Sequence, residues 1–108
     1  MKDIHPEMVE SIFKQLGCQE EQTKAIIATM LSDIELFDKK QHDYGPGNIA
    51  KFGEYGVLVR TNDKLERLIN LSKRNDDPVN ESVIDTWQDL SIYGVIARVV
   101  RNKKWYSQ

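Results

Sequence analysis

In residues 20–42, EEQTKAIIATMLSDIELFDKKQH, apolar side chains recur at intervals of three and four positions. This spacing brings them to one side of an α-helix, whereas a half-buried strand would alternate apolar and polar residues. The segment therefore predicts a long helix with one buried face, formed by Ile27, Met30, Leu31, Ile34 and Phe37.

Glycine and proline divide the chain on either side of this helix. Pro6 suits the first turn of a short N-terminal helix, and Gly17 suits its end. Residues 43–56, DYGPGNIAKFGEYG, contain four of the six glycines. They predict a glycine-rich loop with at most one helical turn, around residues 49–52.

Two further long helices are expected after this loop. The first covers 57–73, and the polar segment 74–80 (RNDDPVN) ends it. The second follows a cap at Asp77 or Asn80 and extends to about Lys103. No segment alternates over a strand's length, so we predict an all-α bundle of three long helices and a short one. The expected inner face of the third helix is Leu58, Leu65, Leu68 and Ile69.

The second half of the last helix is apolar on nearly all sides. Such a helix is either central in its bundle or covered by another subunit. Three long helices are too few to surround it, so the sequence favours a homo-oligomer. The residues concerned are Leu90, Ile92, Tyr93, Val95, Ile96, Val99 and Val100.

Composition excludes several classes of protein. A chain of 108 residues fits a single domain, 1–108, and its formal net charge of −2 gives no general attraction to nucleic-acid phosphates. The single cysteine, Cys18, cannot form an internal disulfide and suits the cytoplasm. No apolar segment is long enough for a membrane span, and His5 and His42 lie too far apart in sequence to suggest zinc. We therefore expect neither a membrane nor a nucleic-acid partner.

Three carboxylates, Glu81, Asp85 and Asp89, are spaced by four in the last helix. They form one stripe, which continues into apolar residues and so begins at a core-facing seam. Carboxylate oxygens in such a place suit Mg²⁺, and a bound Mg²⁺ would in turn hold phosphates. The alternative is structural ion pairing with basic residues.

The third helix carries a basic stripe that matches these acids. Arg60, Asp63, Lys64 and Arg67 fall at i, i+3, i+4 and i+7. The three cations could clamp phosphates, or they could belong to an exposed surface with local ion pairs. The two stripes lie on consecutive helices, which favours a common site.

The glycine-rich stretch contributes aromatic side chains. Asp43, Tyr44 and Gly45 lie where the second helix ends, and Phe52 follows among glycines. Such a segment could offer backbone N–H groups to an anion and an aromatic ring to a base. It could equally serve only as a turn with aromatic core residues.

The segments KKQHDYGPGNIAKFGEYGVLVRTNDKLERLINL and ESVIDTWQDLSIYGVIA resemble a phage and prophage family, the nucleotide modification associated domain, type 1. The resemblance covers about residues 37–100 and depends on D-Y-G, R-x-x-D-K-x-x-R and E-x-x-x-D-x-x-x-D occurring in order. It implies a site made of Asp43, Tyr44, Gly45, Phe52, Arg60, Asp63, Lys64, Arg67, Glu81, Asp85 and Asp89.

The sequence is more distantly similar to the MazG-like all-α nucleotide pyrophosphohydrolases. This similarity implies Mg²⁺ at Glu81, Asp85 and Asp89, with Glu81 or Asp85 as the general base. The ordered E-E-x-x-E cluster of their first helix is missing, since Glu20–Glu21 and Asp33–Glu35 are poor substitutes. That difference argues against hydrolysis more than against nucleotide binding.

Three hypotheses follow for the function. The first is a phage-type protein of the bacterial cytoplasm that binds a nucleotide or nucleotide-derived molecule, with or without Mg²⁺-dependent hydrolysis of a phosphoanhydride. The second is a non-catalytic protein that sequesters a cyclic nucleotide signal of host antiviral defence. The third is a structural or partner-binding helical module in which both charged stripes are ordinary ion pairs.

Overall fold

The computed structural model describes residues 5–74 and 76–106, and these ranges contain four helices and no strand. The predicted all-α fold, with three long helices and a short first one, is confirmed. The helices are α1 (Pro6–Gln15), α2 (Gln22–Tyr44), α3 (Gly47–Ser72) and α4 (Val83–Arg101). Within the same ranges, no helix combines the length and the apolar character that crossing a membrane requires.

The chain forms two compact units, divided between residues 40 and 41. In the first unit, Pro6 lies in the first turn of α1, and Gly17 follows its end with φ +68°. Val9 and Ile27 are buried, and Lys24 lies 3.0 Å from a carboxylate oxygen of Glu10.

The apolar face predicted for α2 is only partly buried. Ile27 is buried and Leu31 and Phe37 are half-buried, whereas Met30 and Ile34 are about half exposed. Helical spacing thus identified the helix but overestimated how much of its apolar side is covered.

The glycine-rich stretch differs from the predicted loop, because most of it is helical. Residues 45–46 separate α2 from α3, and Gly45 has φ +71°. Inside α3 only Gly53 departs from helical geometry, with φ +62° and ψ −154°. An L-residue rarely adopts this conformation, so a glycine there permits the kink. Only two of the four glycines, Gly45 and Gly53, have a positive φ and interrupt the helical backbone. The other two lie within α3.

In the second unit, α3 and α4 pack antiparallel. Lys64 of α3 pairs with Asp89 of α4, and Glu54 of α3 pairs with Arg101 of α4. Residue numbers thus fall along α3 as they rise along α4, which is the order of an antiparallel pair. The N-cap of α4 is Ser82, whose Oγ accepts the Asp85 N–H at 3.1 Å, and not the predicted Asp77 or Asn80.

The inner face predicted for α3 is wrong. Leu58, Leu65 and Ile69 are 60%, 46% and 40% exposed, and only Leu68 of that set is half-buried. The side of α3 toward α4 carries Val57, which is 2% exposed, together with Lys64. The reason is that α4 offers carboxylates at this contact, and their pairing with the basic stripe turns the leucine side of α3 outward.

Candidate functional site

A cluster of charged side chains lies between α3 and α4. Lys64 Nζ lies 2.7 Å from Glu81 Oε1 and 2.9 Å from Asp89 Oδ2. The three side chains are only 22%, 28% and 11% exposed, respectively, so water screens the two ion pairs incompletely. We call Arg60, Lys64, Arg67, Glu81 and Asp89 the polar cluster.

Glu81 is held from several directions at once. The hydroxyl of Thr86, a fully buried residue, donates to Glu81 Oε2 at 2.5 Å. Arg67 Nη2 donates to the main-chain oxygen of Glu81, and Arg67 Nε lies 3.9 Å from Glu81 Oε2. Glu81 precedes the N-cap of α4, so these bonds also fix how the chain enters that helix.

The pKa shifts in the cluster follow from the same contacts. Burial alone would lower the pKa of Lys64, but its hydrogen bonds to Glu81 and Asp89 outweigh this and raise the pKa above its ordinary value. Burial would raise the pKa of Glu81, but the bonds from Lys64 and Thr86 outweigh it, and the pKa is lowered. Both groups are therefore charged at neutral pH.

The two arginines of the basic stripe differ from Lys64 in how their donors are used among the described residues. Arg67 Nη1 is buried and has no hydrogen-bond partner within the described part of the chain. Arg60 is half-buried, and its Nη1 donates over 3.5 Å to Asn48 Oδ1, which is a long bond. Helical spacing places both arginines on the same side of α3 as Lys64.

Other residues predicted for the site lie outside the cluster. Asp63 and Asp85 are exposed, and so is Asp43 at the end of α2. Tyr44 and Phe52 are 72% and 63% exposed. The structure thus brings Lys64 and Arg67 of the basic stripe together with Glu81, and Lys64 together with Asp89.

The arrangement does not fit the Mg²⁺ site expected at Glu81, Asp85 and Asp89. In the described ranges no three His, Cys, Asp or Glu side chains are grouped so as to hold a metal ion. Glu81 and Asp89 both bind the Lys64 ammonium, so a divalent cation would have to displace it.

Sequence reasoning missed three contributors to this part of the molecule. Thr86 is buried against Glu81, Asn48 binds Arg60, and the Trp105 indole donates to the main-chain oxygen of Pro46 at 3.0 Å. Thr86 lies five residues after Glu81, and this spacing was the one available signal. The other two contacts join residues 12 and 59 positions apart and have no local pattern.

Compared with known proteins, the chain matches no family model, no curated protein and no solved structure. The resemblance of its motifs to the nucleotide modification associated domain therefore stays a prediction.

Proposed function

We propose that the polar cluster binds the phosphate groups of a nucleotide or nucleotide-derived molecule through Arg60 and Arg67. The observation that carries this proposal is the buried Nη1 of Arg67, which lacks a hydrogen-bond partner among the described residues. A buried donor without an acceptor costs about 1–3 kcal/mol, and a phosphate oxygen would remove that cost. Guanidinium groups also match the planar, two-point geometry of phosphate recognition.

Lys64 has a different role in this proposal from the one its position in the basic stripe suggested. Its ammonium is already bonded to two carboxylates, so it offsets part of their charge and is not itself free to bind a ligand. The cluster contains three cations and two carboxylates, and its charge is therefore +1. This sign favours an anionic ligand in a protein whose net charge is −2.

The exposed aromatic rings of Tyr44 and Phe52 belong to the same compact unit as the cluster. An exposed ring can stack on a base of any sequence, with a contribution of about 1–3 kcal/mol. In our proposal one of these rings binds the base while the arginines bind the phosphates.

Binding without hydrolysis suits this arrangement best. A general base needs a carboxylate free to accept a proton from water, but Glu81 is held by Lys64 and Thr86. Its lowered pKa also makes it a weak base. A protein that sequesters a nucleotide, cyclic or linear, needs only the binding contacts.

A thermal-shift screen against nucleoside mono-, di- and triphosphates and cyclic nucleotides, each with Mg²⁺ and with chelator, tests the proposal. We expect stabilisation that persists in chelator and reaches about 2.7 kcal/mol at a ligand concentration 100 times Kd. The Arg67→Gln variant should lose it. Arg74→Gln, which removes an exposed arginine paired with the exposed Asp76, is the matched control and should retain it.

A second candidate, a structural module without a ligand, is favoured by the complete pairing of Lys64 with Glu81 and Asp89. It predicts no stabilisation by any nucleotide. In that case Arg67→Gln would alter only the stability of the free protein.

A further inference from the structure

The α3–α4 pair has an apolar surface whose side chains are exposed among the described residues. Four large side chains of α3 and three of α4 contribute to it, with exposed fractions from 37% to 77%. Together with two polar residues, Asn62 and Ser91, they form what we call the outer face. Its apolar members are Tyr55, Leu58, Leu65 and Ile69 of α3, and Ile84, Trp87 and Val95 of α4.

Helix geometry puts both halves of this face on the same side of the pair. Measured from the buried Val57, the α3 residues of the outer face lie about 80° to 160° around the helix at 100° per residue. Measured from the buried Thr86, those of α4 lie about 100° to 180° around in the same rotational sense. Because the helices are antiparallel, equal rotations carry both sets to one side. The basic residues of α3 lie on the other side by the same construction.

The order of residues along the α3 half of the outer face is symmetric about its middle. In α3 the spacing of Tyr55, Leu58, Asn62, Leu65 and Ile69 is that of a heptad seam, with asparagine at the central position. The pairs Lys64–Asp89 and Glu54–Arg101 set Asn62 close to the level of Ser91 on α4. Polar side chains therefore lie at the midpoint. Apolar side chains lie on either side of it in α3, whereas in α4 the exposed Arg98 follows Val95 on this face.

We propose that a second copy of this chain packs on the outer face, so that the two α3–α4 pairs form a two-fold four-helix bundle. A two-fold operation about the midpoint sets Asn62 of one copy near Ser91 of the other and most apolar side chains against apolar ones, which an unrelated partner would not require. A buried asparagine in a heptad seam fixes register and oligomeric state in the same way.

The size of the outer face also fits such a dimer. Its seven apolar side chains expose on the order of 700 Å², close to the ~800 Å² per partner of a standard interface. In residues 41–74 and 76–106 the buried apolar residues are Ile49, Val57 and Ile96, a small core for a unit of this length. The second copy supplies the missing helical layer. It leaves the polar cluster accessible, so the dimer and the nucleotide site are tested separately.

Size-exclusion chromatography with light scattering tests the dimer. The wild-type protein should have a mass of about 25 kDa, twice the 12.5 kDa of one chain. Leu58→Glu should raise the dimer dissociation constant at least about 100-fold, because two buried leucines are lost per dimer. Val59→Glu makes the same change at the next residue, which is also exposed but lies off the outer face, and should leave the dimer intact.

A second variant, Asn62→Lys, distinguishes loss of the dimer from loss of the fold. Position 62 is exposed in the single chain, so a monomer tolerates lysine there, and the helical circular dichroism should be retained. In the dimer two buried ammonium groups would repel each other, and the variant should be monomeric. A monomeric wild type overturns the proposal. A Val59→Glu variant that dissociates as readily as Leu58→Glu overturns it too.

Discussion

Replacing Lys64 by methionine should destabilise the α3–α4 pair strongly, because it leaves two carboxylates without their cation. Removing one partner of a buried ion pair costs about 3–5 kcal/mol. The side chains here are 11% to 28% exposed and so only partly shielded from water, and we expect a loss somewhat below that range, about 2–3 kcal/mol. For a domain of this size that loss lowers Tm by about 8–20 °C.

Urea denaturation followed by circular dichroism measures this loss, with Arg101→Met as the matched control. Arg101 also pairs with a carboxylate across the two helices, that of Glu54, but its side chain is 74% exposed. The control should therefore cost less than about 1 kcal/mol. Adding Glu81→Gln and Asp89→Asn to Lys64→Met should recover much of the loss, since neither carboxylate is then left without the Lys64 ammonium. Equal losses for Lys64→Met and Arg101→Met would refute the reasoning.

Three further predictions concern single features of the second unit. Gly53→Ala should cost about 1–3 kcal/mol in the unfolding free energy, because φ +62° with ψ −154° is strained for alanine, whereas Gly47→Ala should be nearly neutral. Thr86→Val should cost about 1–2 kcal/mol in the same assay, since Glu81 loses a buried donor, and Thr86→Ser should cost less. The pKa of Glu81 is lowered in the folded protein, so the free energy of unfolding should decrease as the pH falls below the ordinary Glu81 pKa of 4.5 and through the folded value. This decrease should be smaller in Glu81→Gln.

At alkaline pH the contribution of Lys64 to stability decreases as the pH rises, whereas that of Glu81 decreases as the pH falls. The pKa of Lys64 is raised in the folded protein, so its stabilising contribution is complete below its ordinary pKa of 10.5 and is lost as the pH rises through the folded value. Unfolding measured between pH 6 and pH 9 should therefore show no change that depends on Lys64. A fall in stability over that range that Lys64→Met abolishes would contradict the assignment.

The helices could be predicted because periodic spacing and helix-end residues are local signals. Gly17 ends α1 as its position suggested, and the second helix lies within two residues of its predicted bounds. The loop prediction failed because a glycine count does not tell which glycines have positive φ, and among 47–56 only Gly53 does.

The faces of the helices were harder to predict than the helices themselves. Leucine spacing in α3 predicted which side of the helix is buried. The side that packs on α4 is instead determined by the residues of α4 at the contact, which include the buried Asp89 and Thr86. The pairing of Lys64 with Glu81 and Asp89 connects residues 17 and 25 positions apart. From the two charged stripes the sequence predicted either a site for Mg²⁺ and phosphates or structural ion pairs between the helices. The spacing of the residues is the same for both and did not decide between them.

The most direct test of the central claim is a calorimetric titration of nucleoside triphosphates and cyclic nucleotides into the wild type, Arg67→Gln and Arg74→Gln, all in chelator. Loss of a charge-assisted bond of about 1.5–3 kcal/mol predicts binding at least about 10-fold weaker in Arg67→Gln and unchanged in Arg74→Gln. Equal affinities in all three proteins, or no heat of binding in the wild type with any nucleotide, would contradict it.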